Sequence, residues 1–123
     1  MVNQSGGARP AVLVVEDDPD ALEALGDLLE SHGYAVSCAR HGGEALERLG
    51  RSPLPRLIVL DLLMPIMDGW EFRRRQKEDP RIAQIPVVVL SASSAAKPID
   101  ATSILRKPVD IDRLLKTIAN HCA

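Results

Sequence analysis

Five side chains carry the means for one kind of chemistry. Glu16, Asp17, Asp61, Ser91 and Lys107 each stand at or just after the end of a short apolar run, at 11–15, 57–60, 87–90 and 102–106. Three carboxylates brought together in a partly buried site repel one another unless a hard cation joins them. Oxygen donors of this type suit Mg²⁺, which binds through one or two carboxylates, waters and a phosphate. With Lys107 adding one more positive charge, such a set is close to neutral. One carboxylate can then attack phosphorus and become an acyl phosphate, the cation and the ammonium neutralising the phosphoryl oxygens. Asp61, at the end of the most apolar run, is the candidate nucleophile, and Ser91 is the candidate donor to a phosphoryl oxygen. Spacing alone leaves the simpler alternatives open, in which Asp61 caps a loop and the Ser91 hydroxyl satisfies one.

The elements that would position these groups are legible. Leu57-Ile58-Val59-Leu60, preceded by Pro53 and Pro55 and followed by Pro65, is a continuous apolar run of strand length. Such a run fits a strand buried on both faces of a parallel sheet, and in open sheets of that type ligands meet the carboxyl ends of the strands. Ala11 to Val15 and Pro86 to Leu90 repeat the pattern, while 34–39 and 102–106 are weaker strands. Between them lie helical patterns. Pro19 in a first turn capped by Asp18 opens one that Gly33 stops, and His41-Gly42-Gly43 leads into a short one with Ala45, Leu46 and Leu49 on its stripe. Gly69 opens a third through about Lys77, and the last runs from 110 to 120 with Ile111, Leu114, Leu115 and Ile118 on one face. Five strands alternating with four or five helices call for an α/β fold, a parallel sheet with helices on both faces. Right-handed crossovers then bring every strand's carboxyl end to one edge, so Glu16 and Lys107 can meet across the length of the chain.

Composition bounds the function. The 123 residues suit one domain, with 1–9 a loose tail and the folded unit from about residue 10 to 123. A net charge of −2 gives no footprint for nucleic acid or an anionic membrane. No apolar run is long enough to span a bilayer and the first seven residues lack a signal peptide's pattern, so a cytoplasmic protein is expected. Cys38 and Cys122 have no metal spacing and read as structural or incidental. His32, His41 and His121 read as surface histidines, and Arg73, Arg74, Arg75 and Lys77 as the solvated face of a helix.

Val-Val-Glu16-Asp17-Asp18-Pro19, Leu-Asp61-Leu-Leu-Met-Pro65-Ile-Met-Asp68-Gly69, Leu-Ser91-Ala92 and Lys107-Pro108, in this order, closely resemble the receiver domain of two-component response regulators. The resemblance implies a flavodoxin-like sheet of strand order 2-1-3-4-5. It implies that Asp61 takes a phosphoryl group from a histidine kinase or histidine phosphotransfer protein, and that Glu16, Asp17, Asp61 and the main-chain carbonyl of Leu63 hold Mg²⁺. Ser91 would be the hydroxyl that follows the phosphate, Ala92 its small neighbour, and Lys107 the cation before a cis proline. A signalling protein acting through a downstream protein is implied, with no nucleic acid or membrane partner.

Two departures carry their own expectations. Ile104 stands three residues before Lys107, where the family carries an aromatic side chain. Only residues 92 to 101, Pro98 among them, connect the fourth and fifth strands, so the fourth helix should be shortened or absent. The face built on that helix would lack a wall, and partner docking is expected beside the first helix and the loops around Asp61 instead. Two other readings compete. An aspartate-nucleophile phosphohydrolase would carry a second acid two residues after the nucleophile, where this chain has Leu63. A receiver-like module working without phosphorylation would keep the fold and not use the site.

Overall fold

The computed structural model describes residues 9–51, 53–62, 67–92 and 99–122. Nine elements follow one another: β1 (Ala11–Val15), α1 (Pro19–Ser31), β2 (Ala35–Ala39), α2 (Gly42–Leu49), β3 (Leu57–Asp61), α3 (Gly69–Glu78), β4 (Val87–Ser91), β5 (Ser103–Arg106) and α4 (Ile111–Cys122). The strands form one parallel sheet in the order β2-β1-β3-β4-β5. Every residue of β3 and β4 is buried. Alternate residues of the central strands serve opposite faces. Leu13, Ile58 and Val89 pack with Leu49 of α2 and Phe72 of α3, while Val14, Val59 and Val88 pack with Leu29 of α1 and Leu114 of α4. This double coverage is why the central strands read as unbroken apolar runs.

Strand starts differ from the sequence reading by one residue, for local reasons. Tyr34 belongs to the stop of α1: Gly33 adopts φ 94° and the Tyr34 amide returns to the Leu29 carbonyl at 3.1 Å. Thr102 meets Val87 twice, its amide donating to the Val87 carbonyl at 2.9 Å and its hydroxyl accepting from the Val87 amide at 3.1 Å. The expected tail lies, apart from Arg9, outside the described residues.

Among the described residues β4 passes to β5 without a helix; residues 93–98 lie outside that set. Residues 99–101 lean on α3. Ile99 and Ala101 pack against the core, the Arg73 Nε donates to the Asp100 carbonyl at 2.7 Å, and Lys77 pairs with the Asp100 carboxylate. The basic run on α3 is therefore only partly a solvated face. Arg74 and Arg75 hold Glu71 and Glu78 along the helix, whereas Arg73 and Lys77 reach across to another segment. Exposed pairs of this kind contribute little, so apolar burial carries most of the docking. On β5 the Ile104 side chain stays outside, 51% exposed.

His41 corrects the reading of scattered surface histidines. It is the N-cap of α2, its Nδ1 accepting from the Glu44 amide at 3.1 Å while Glu44 Oε1 accepts from the Arg40 amide at 2.8 Å. This is a variant of the capping box, with an imidazole in the usual hydroxyl's place and the glutamate reaching back to the amide one residue before the cap. Chemical denaturation of His41→Ala should show a loss of about 1 kcal/mol, and His41→Asn should recover most of it.

Candidate functional site

Parallel pairing sets the site. The β1–β3 register couples Val15 with Leu60, and the next residues along these two strands, Glu16 and Asp61, lie at the carboxyl edge. Ser91 ends β4 opposite Arg106, and the Lys107 amide donates to the Ser91 carbonyl at 2.8 Å. Glu16, Asp61 and Ser91 are buried, while Asp17 is exposed at the rim. One carboxylate oxygen each from Glu16, Asp17 and Asp61 lies within 4.8 Å of the others. The Lys107 Nζ sits 3.3 Å from Asp61 Oδ1 and 3.4 Å from Glu16 Oε1. Sequence reasoning thus named residues that the fold brings together, drawn from the ends of β1, β3, β4 and β5.

The electrostatics follow from crowding. Burial pushes the Glu16 carboxyl up to about 7; the Asp18 amide, donating to Glu16 Oε2 at 3.1 Å, pulls it down, and hydrogen bonding to Asp61 and the Asp61 charge raise it again, against the pull of Lys107. Burial alone would lower the Lys107 ammonium, but the charges of Asp61 and Glu16 outweigh it and hold the lysine above its usual range. A buried carboxyl that stays half-protonated near neutrality marks a site where another cation is electrostatically welcome. An all-oxygen donor set with one exposed member fits Mg²⁺.

Leu62, the residue after Asp61, is held against the start of α3. The Gly69 amide donates to the Leu62 carbonyl at 2.9 Å, and a Cβ at 69 would lie 2.9 Å from Leu62 Cδ1 and 3.0 Å from its Cα. Only a glycine lets α3 start so close to β3. Asp68 caps that helix, accepting from the Glu71 amide at 2.9 Å, as Asp18 caps α1 by accepting from the Asp20 amide at 3.0 Å. Leu63, the expected carbonyl ligand, lies outside the described residues, and Ala92 is exposed directly after Ser91. Sequence reasoning missed Gln76. This fully buried amide donates to the carbonyls of Ile82 at 2.9 Å and Ile85 at 3.1 Å and so ties α3 to the turn before β4. Flanked by charged residues, it gave no apolar signal.

Comparison with known proteins agrees with this geometry. The response regulator receiver domain family matches residues 12–119. Protein PilH of Pseudomonas aeruginosa is 33% identical over 113 residues, covering 87% of this chain and 93% of PilH. The receiver domain of a signal transduction histidine kinase from Syntrophus aciditrophicus superposes with a TM-score of 0.85 at 32% identity, covering 92% of this chain and 89% of that one. Chemotaxis protein CheY4 of Vibrio cholerae superposes with a TM-score of 0.84 at 28% identity, covering 93% of this chain and 99% of its own. No helix among the described residues is long and apolar enough to cross a membrane. With the strand order, the acidic cluster and the lysine in place, the chain belongs to the response regulator receiver domain family.

Proposed function

We propose that this chain is a signalling receiver, folded from about residue 10 onward, that takes a phosphoryl group onto Asp61 from a histidine kinase or histidine phosphotransfer protein in the cytoplasm and then presents a changed surface to a downstream protein. The observation that carries the reading is the Lys107 ammonium 3.3 Å from Asp61 Oδ1, inside a cluster of three carboxylates. An Asp61 oxygen attacks phosphorus as the bond from phosphorus to the donor's imidazole nitrogen breaks, the electron pair leaving with the imidazole. Lys107 stabilises the phosphoryl oxygens, and the Ser91 hydroxyl donates to one of them. Glu16, Asp17 and Asp61, with the Leu63 carbonyl as the further expected ligand, would hold Mg²⁺, which would supply neutralisation of phosphoryl charge. Asp17, at the exposed rim, is the open side of that cluster. Ala92, exposed and small after Ser91, leaves the phosphoryl group room.

This chemistry is the protein's own phosphorylation and dephosphorylation rather than turnover of an external substrate. Leu63 supplies no acid where a phosphohydrolase would need one. The test is direct. Incubated with phosphoramidate and Mg²⁺, the protein should gain one phosphoryl group, and peptide mapping should place it on Asp61. Chelation should abolish the gain. No labelling, or labelling of a histidine, would overturn the reading.

A further inference from the structure

Gly42 is the first residue of α2 and buried, and its backbone has no need of glycine: among the described residues only Gly33 has a positive φ. Alanine would favour the helix, so the glycine is explained by space. A Cβ at 42 would lie 2.7 Å from Met67 Sδ, 2.9 Å from its Cγ and 3.1 Å from its Cβ. The sulfur could swing aside, but the Met67 Cβ is fixed to its backbone, so the chain at 67 would have to give. Met67 packs on the same core cluster as Leu62, directly before the Asp68 cap of α3. Leu62, the residue after Asp61, is thus held against Gly69, and Met67, two residues before Gly69, is held against Gly42.

We propose that Gly42 is a positioning residue for phosphoryl transfer, acting through Met67 on the start of α3 at Gly69 and thereby on Leu62, the residue after Asp61. The proposal rests on the function argued above. The capped start of α2, fixed by His41 and Glu44, becomes the abutment of Met67. A shift of tenths of an ångström in a catalytic segment is enough to slow a reaction whose rate depends on alignment.

Phosphorylation rates with phosphoramidate at saturating Mg²⁺ would be compared for the wild type, Gly42→Ala, Met67→Gly and the double variant. Gly42→Ala should slow the reaction roughly tenfold. Met67→Gly, which empties the seat from the other side, should also slow it. The double variant should match Met67→Gly alone, because no Cβ then stands at 67 for the added methyl to meet. An unchanged rate in either single variant, or slowing by Gly42→Ala that persists in the double variant, would overturn the proposal. Backbone amide shifts give a second arm independent of phosphorylation. Those of Leu62, Asp68 and Gly69 should move in Gly42→Ala, and in the double variant should coincide with those of Met67→Gly alone. If the wild type takes up no phosphate, the functional reading fails, and unmoved amides would separately remove Gly42 as the seat of Met67.

Discussion

Asp61→Asn should take up no phosphate from any donor, and its metal-free form should melt a few degrees above the wild type. The first effect is total because the amide cannot form the acyl phosphate. Glu16 is the nearest substitute, but burial keeps its carboxyl protonated up to about 7. The second effect comes from charge. Removing one of three clustered carboxylates relieves repulsion, while Lys107 keeps Glu16 as a partner at 3.4 Å. A change of about 1 kcal/mol moves the midpoint of a domain this size by several degrees. Calorimetry of both proteins in chelator checks it, and a lower midpoint in Asp61→Asn would show that the Lys107–Asp61 attraction outweighs the repulsion.

The metal-free wild type should lose stability as pH rises from 5 to 8. Glu16 is raised in the folded state from 4.5 to about 7, so the native protein holds its proton longer than the unfolded chain does. The stability this contributes is complete below about 4.5 and is lost as pH passes through about 7. At 1.36 kcal/mol per unit the whole span is of the order of 3 kcal/mol. Urea midpoints across this range should fall for the wild type and stay nearly level for Glu16→Gln. Millimolar Mg²⁺ should raise the midpoint most at pH 8, where the carboxylates are ionised, and should do so far less for Asp17→Ala. A level wild-type profile in chelator would remove Glu16 from the buried cluster.

Legibility in the sequence tracked how local each cause is. β1, β3 and β4 were legible because burial on both faces leaves an unbroken apolar run between turn-forming residues. The candidate site residues were legible because a polar side chain ending such a run is conspicuous, and parallel topology sends all such ends to one edge. What stayed hidden depends on partners distant in sequence. Lys77 looks solvated until residue 100 lies beside it, and Gln76 looks polar until the carbonyls of Ile82 and Ile85 are seen to need its amide. His41 was missed for a different reason: an imidazole can cap a helix, yet the usual cap signal is a hydroxyl, carboxylate or amide. The β4–β5 connection was expected to be short of helix from its length and Pro98, and residues 93–98 lie outside the described set.

Trp70, the chain's one tryptophan, is half-buried at the second residue of α3. It borders a shallow cavity of about 360 Å³ shared with Ile99 and Asp100 and stands three residues after Met67. One indole therefore stands beside both the segment leaving the candidate nucleophile and the stretch entering β5. Because indole emission depends on the polarity around the ring, the protein carries its own optical reporter. A stopped-flow trace excited at the tryptophan band would time a change on either side without any dye, and Arg73 and Lys77 beside the ring would tell the two sides apart by substitution.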